Sequence, residues 1–294
     1  MMHAILPMDA PFGAEVTGLD LNDAPDDVIF GEIVDALHAH GVLCVRSQHI
    51  TPEAHIAFSR RFGDLEVHVQ SSFNLPGYPE IYRISNCVDE NGNAEGLAEA
   101  GRVWHTDLAY LAEPSRCSLL YALEVPHDES GKPLGATMFA STTLAYQALS
   151  EETMRRIQGL SAVQSYAFIY DNITAISKPG RQGLKPLNDE QKNKVPPVEH
   201  PLVIRHPHTG SPILFCSSGM TERIVGQTDD GALLRELCDH ATDPSFVYRH
   251  DWRVGDLLIW DNIQTQHLAV DDYWLPQRRR MQRTTVKGVA PKAA

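Results

Sequence analysis

Apolar residues recur along this chain with two different periods. Ile29, Ile33 and Leu37 return at i, i+4 and i+8, which predicts a helix over about 26–40 that Gly41 stops. Thr51-Pro52 offers an N-cap followed by a first-turn proline, so a second helix is expected to run to Phe62 and stop at Gly63. Elsewhere the pattern is shorter and β-like. Strands are predicted within 13–20, at Val42-Leu43-Cys44-Val45, and at about 80–86, 117–125 and 136–141. Further strands fit 201–206, 212–217, 245–251, 256–260 and 278–287. Helices fit 142–149, 150–158 and about 229–241. Many short strands with few helices point to a mainly β fold with flanking helices, a jelly-roll-like double sheet.

Two stretches interrupt the pattern. Residues 66–102 are punctuated by Pro76-Gly77, Pro79 and Asn91-Gly92-Asn93. Residues 171–200 are polar, with Lys178, Arg181, Lys185, Lys192 and Lys194 before Pro196-Pro197. A structureless run of that length inside a domain is expected only of a lid or a disordered segment. No internal repeat or linker divides the chain, so residues 1–294 are read as one domain with lid-like segments at about 66–102 and 166–200.

Composition narrows the function. The 294 residues are 43% hydrophobic, enough for a sizeable core. A net charge of −13 argues against nucleic acid and against anionic membrane surfaces. The five cysteines are scattered without a CxxC pair, which predicts reduced thiols. The first residues lack a signal-peptide pattern, and no apolar run reaches the roughly 20 residues of a membrane span. A cytoplasmic protein is expected.

Candidate chemistry gathers at two distant places, Trp104-His105-Thr106-Asp107 and Trp260-Asp261-Asn262 with His267. On a strand, His105 and Asp107 would share a face. Joined by His267, they would form a two-histidine, one-carboxylate metal site with open positions, which favours Fe(II) oxygen chemistry. Each motif alone is weak, because 14 His and 38 acidic residues produce chance pairs. The run Arg278-Arg279-Arg280-Met281-Gln282-Arg283 reads in part as a solvated edge. Alternation into Thr284-Thr285-Val286 would nonetheless turn one arginine, Arg283, inside, where it needs an anion.

Taken together, these motifs resemble the taurine/2,4-dichlorophenoxyacetate dioxygenase family of Fe(II)- and 2-oxoglutarate-dependent oxygenases. The likeness runs from Gly13-Ala14-Glu15 through Phe62-Gly63-Asp64-Leu65 to Arg283. It implies a double-stranded β-helix (jelly roll) and an oxidoreductase in which His105, Asp107 and His267 are the metal ligands and the catalytic centre. It also implies that Arg283 binds 2-oxoglutarate, with help from Thr137 of Gly135-Ala136-Thr137, where the family's Asp is missing. Arg279 could assist but is expected at the surface. Fe(II), 2-oxoglutarate and O2 would be used, with succinate and CO2 as coproducts. An intact Asp107 favours hydroxylation over halogenation, while desaturation and epimerisation stay open. The family also implies a homodimer or homotetramer.

The substrate implied is a small organic acid: a sulfonate, sulfate ester, phenoxyalkanoate or amino-acid-derived acid. His68 matches a substrate-contact histidine of the taurine enzymes. Ser71 and Gly101 stand where those enzymes carry Tyr and Asn, which argues against taurine itself. Tyr166, Phe168 and Tyr170, read as alternate positions of a strand, would face one apolar pocket. Two other readings remain at this stage, a zinc-dependent hydrolase using the same three residues and a non-catalytic jelly-roll binding protein.

Overall fold

Helix Asp27–His40 (α1) starts where Asp26 accepts a hydrogen bond from the Ile29 amide, and ends at Gly41, whose φ of 71° only a residue without Cβ adopts freely. Helix Pro52–Arg60 (α2) is capped by Thr51 in the same way. The computed structural model describes residues 3–68, 71–98, 100–176 and 187–294. Eight of its strands carry the argument: Val42–Val45 (β1), Tyr78–Ser85 (β2), Cys117–Glu124 (β3), Thr137–Ser141 (β4), Val247–His250 (β5), Leu257–Asp261 (β6), Thr265–Ala269 (β7) and Arg280–Val286 (β8).

An eight-stranded sheet holds β1, β6, β3, β8 and β2 side by side, while a smaller sheet orders β5, β4 and β7. Strand alternation builds two apolar layers from the larger sheet. Leu43, Val45, Leu119, Tyr121, Leu257 and Ile259 face Ile33, Leu37, Phe58 and Phe62 of the helical side. Their neighbours Val42, Cys44, Leu120, Ala122, Leu258 and Trp260 face Phe139, Tyr248 and Trp252 of the smaller-sheet side. Both faces of the central strands are buried, which is why those stretches read as unbroken apolar runs. Two sheets enclosing one interior, with helices packed outside, make the double-stranded β-helix.

The five cysteines are free and buried, as their spacing implied. None of the described helices is long and apolar enough to cross a membrane. The polar stretch after residue 171 is not structureless where it is described. Helix Tyr166–Ile176 (α3) enters it, and a short helix, Asp189–Lys194, precedes strand Val198–Pro201. Lys178, Arg181 and Lys185 lie outside the described residues.

One glycine fixes how closely the chain packs behind His105. The Gly219 amide donates to the Trp104 carbonyl at 3.0 Å. A Cβ on Gly219 would meet Val103 Cγ2 at 2.5 Å and the Trp104 carbonyl oxygen at 2.6 Å. Gly219→Ala is therefore expected to destabilise the fold by about 1–3 kcal/mol, as overpacking does, and to lower the thermal midpoint. An unchanged midpoint would mean that the Val103–Trp104 segment yields freely.

Candidate active site

The smaller sheet positions His267. It lies on β7 directly opposite Phe139 of β4, and its ring rests against Phe139 and Trp260 at centroid distances of 5.9 and 4.9 Å. His105 joins it through an isolated antiparallel bridge. The His105 amide donates to the His267 carbonyl at 3.1 Å, and the His267 amide donates back at 2.8 Å. The two imidazoles then lie 4.1 Å apart, centroid to centroid. Contrary to the expectation of one strand face for His105 and Asp107, only that single bridge is β-like and Asp107 sits in the turn after it. The turn is tight: Leu108 has a φ of 58°, a left-handed conformation that is costly for a residue with a branched side chain.

The turn brings Asp107 back to the two rings. Its Oδ1 lies 3.7 Å from His105 Nε2 and 4.0 Å from His267 Nε2. Ligand atoms of all three residues fall within 4.8 Å of one another, and all three are buried. The donor chemistry suits a metal ion. His105 Nδ1 lies 2.8 Å from the Val103 carbonyl, which can only accept, so Nδ1 carries the proton and the Nε2 lone pair is free. Burial holds both histidines below their ordinary range and hence neutral. Burial alone would raise the Asp107 carboxyl. Arg283, His267, His105 and the Ser118 hydroxyl outweigh it and keep the group well below the usual carboxylate range.

Around these residues opens a cavity lined by His68, Tyr82, Tyr110, Tyr166, Tyr170 and Arg283 among others. Arg283 Nη1 donates to Asp107 Oδ1 at 2.9 Å. His68 leans on the Tyr82 ring at 4.3 Å. Its pKa is pushed down to about 4, first by burial and then by Arg283, so at neutral pH it is an uncharged imidazole.

Three expectations are corrected. Residues 166–176 form a helix, not a strand, because Ser165 caps it by accepting from the Phe168 amide. Tyr166, Ile169, Tyr170 and Ile173 thus share the cavity face at i, i+3, i+4 and i+7, whereas Phe168 turns to a separate hollow beside Ser218 and Thr221. Arg279 is not at the surface: it is 3% exposed. Its Nε is buried without a partner among the described residues, and its chain packs under Gly135, where a Cβ would lie 3.1 Å from Arg279 Cδ. A third correction concerns Arg278 and Arg280. Both reach solvent and pair with Glu124 and Glu95, but β8 is not an edge strand, because β3 and β2 flank it. Thr137 is buried on β4, and the Trp252 indole donates to its hydroxyl at 3.0 Å.

Sequence reasoning missed Tyr82, Tyr110, Ser118 and Trp252. Tyr82 was detectable in principle, since it pairs directly with Arg283 across β2 and β8; Tyr110 follows the motif by three residues. Trp252 carries no local signal.

The family described as Taurine catabolism dioxygenase TauD, TfdA family matches residues 4–285. Pentalenolactone F synthase of Streptomyces arenae is 33% identical over 289 residues, covering 94% of this chain and 92% of the synthase. The alpha-ketoglutarate-dependent 2,4-dichlorophenoxyacetate dioxygenase of Burkholderia sp. (strain RASC) is 32% identical over 288 residues, covering 94% of this chain and 92% of that enzyme. The crystal structure of AAD-2 in complex with Mn(II) and N-oxalylglycine superposes with a TM-score of 0.80 at 30% identity, covering 99% of each chain. With sequence and fold matching over nearly its whole length, the chain belongs to the TauD/TfdA family and is a dioxygenase dependent on Fe(II), 2-oxoglutarate and O2.

Proposed function

We propose that this dioxygenase hydroxylates a small hydrophobic organic acid, with residues 1–294 working as one catalytic domain. The observation that carries the reading is the composition of the cavity beside His105 and Asp107. It offers one guanidinium, Arg283, and one neutral imidazole, His68, against a wall of tyrosine, isoleucine and leucine. An acid's anionic group fits the first two, and an apolar body fits the rest. Family membership sets aside the hydrolase and the non-catalytic readings.

His105, Asp107 and His267 hold the iron in this proposal. When bound, iron and 2-oxoglutarate supply the oxidising chemistry: O2 is consumed, 2-oxoglutarate leaves as succinate and CO2, and one oxygen atom enters a substrate C–H bond. The chain's own residues bind and orient. Arg279 is the better receptor for the distal carboxylate of 2-oxoglutarate than Arg283, because its guanidinium is buried and lacks an anion among the described residues. Thr137 is prepared to assist. Its oxygen accepts the Trp252 N–H, which leaves its own proton to donate. Arg283 then serves the substrate. It already pairs with one carboxylate, Asp107, and faces the open cavity.

Taurine fits this cavity poorly. Ser71 is exposed on a short 3-10 turn, and Gly101 packs so close to His105 that a Cβ there would lie 3.3 Å from its Cε1. Phenoxyalkanoates, on which the 2,4-dichlorophenoxyacetate relative acts, match the aromatic wall better. A screen in which taurine alone was turned over would refute this preference.

Two measurements test the assignments. Anaerobic addition of Fe(II) and 2-oxoglutarate is expected to produce a weak visible charge-transfer band that His267→Ala abolishes; a band surviving in that variant would remove His267 from the metal site. Losing one charge-assisted hydrogen-bonding partner costs about 1.5–3 kcal/mol, or roughly 10–150-fold. Arg279→Ala should raise KM for 2-oxoglutarate by that order, while Arg283→Ala should raise KM for the acid and spare 2-oxoglutarate. The reverse pattern would exchange the two roles.

A further inference from the structure

A serine has no apolar reason to occupy position 118. Strand β3 is otherwise apolar from Cys117 to Leu123, and Ser118 is 0% exposed on the interior face that it shares with Leu120 and Ala122. A buried hydroxyl must find partners, and here it joins the metal motif to Trp260-Asp261-Asn262. The direction of each bond follows from the groups. Asp107, ionised beside Arg283, can only accept, so Ser118 Oγ donates to its Oδ2 at 2.7 Å. Ser118 Oγ in turn accepts from Asn262 Nδ2 at 3.0 Å. The Trp260 indole can only donate, and it holds Asn262 Oδ1 at 2.7 Å. That bond sets the side-chain amide orientation, which shape alone would leave open. Asn262 is itself 0% exposed, and its amide donates to the Arg116 carbonyl at 3.0 Å.

We propose that Ser118 and Asn262 are positioning residues which hold Asp107 with Oδ1 turned to the metal. The proposal rests on the assignment of His105, Asp107 and His267 to the metal. Oδ2 is held by Ser118, and Oδ1, which also accepts from Arg283 Nη1 at 2.9 Å, is the atom turned to the two Nε2 atoms. A metal with two histidines and one single-oxygen carboxylate retains three open positions. 2-Oxoglutarate and O2 would be accommodated there. A carboxylate free to swing would have to be reordered before Oδ1 could bind, at a cost in affinity. The relay Trp260–Asn262–Ser118–Asp107 therefore preorganises the ligand by fixing one carboxylate rotamer. It also explains why the fully buried asparagine of the second motif is an amide.

Mn(II) binding to the full chain, followed by the paramagnetic resonance of free Mn(II), tests this apart from turnover. Wild type should bind, and Asp107→Ala should not; if wild type fails to bind, the metal assignment falls and the relay with it. Given wild-type binding, Ser118→Ala should weaken affinity roughly 10–100-fold, the effect of losing a ligand's supporting partner. Asn262→Asp is nearly isosteric and covers the case in which Ser118→Ala does not fold. It replaces the donor to Ser118 with an acceptor, which draws the hydroxyl proton away from Asp107. Electrostatics alone would make this variant bind a cation more tightly, whereas the relay requires weaker binding. The double variant should be no worse than the poorer single one, because both break the same chain of bonds. Wild-type affinity in Ser118→Ala, tighter binding in Asn262→Asp, or multiplying losses in the double variant would each overturn the proposal.

Discussion

Everything at the centre of this molecule depends on two backbone hydrogen bonds. His105 and His267 lie far apart in the chain, yet each donates its amide to the other's carbonyl, at 3.1 and 2.8 Å. Two reciprocal bonds fix the spacing of the two residues, and their imidazoles come to lie 4.1 Å apart. The remaining geometry adapts to them. The turn that follows returns Asp107 at the expense of a left-handed Leu108, and Gly219 gives up its side chain so that the chain can close in behind Trp104. A left-handed leucine and a side chain excluded by sterics are tolerated at the same few residues, where the surrounding fold over-determines them.

Charge is distributed in the interior with the same economy. The chain carries a net −13, but the site shows positive charge inward. Arg283 is set against Asp107 and faces the cavity, while Arg279 is sealed beneath Gly135 without a carboxylate among the described residues. Two guanidiniums four positions apart on one segment thus have different environments, one able to meet an acid entering from the cavity and the other able to meet one held deeper. Neutral histidines complete the arrangement. Burial lowers His68, His105 and His267 alike, which keeps the site from repelling a metal cation.

Much of this was legible in the sequence, for identifiable reasons. Period-2 burial on both faces made β1, β3 and β6 stand out as apolar runs, and the caps at Asp26, Thr51 and Gly41 marked the outer helices. His105, Asp107 and His267 were visible because side chains with metal-ligand chemistry recur in a pattern. The helix at Tyr166–Ile176 was misread because three alternating aromatics imitate a strand, and the cue that contradicted them was one capping serine.

The sequence by itself determined the residue types that do chemistry and the elements whose periodicity is strong, because both are properties of local composition. Only the tertiary structure decided which arginine is buried, which oxygen of Asp107 faces the two imidazoles, and why Ser118 and Asn262 are polar. Those outcomes depend on partners from strands remote in the chain, and a hydrogen bond between Ser118 and Asp107, or between Asn262 and Ser118, leaves no periodic trace along it.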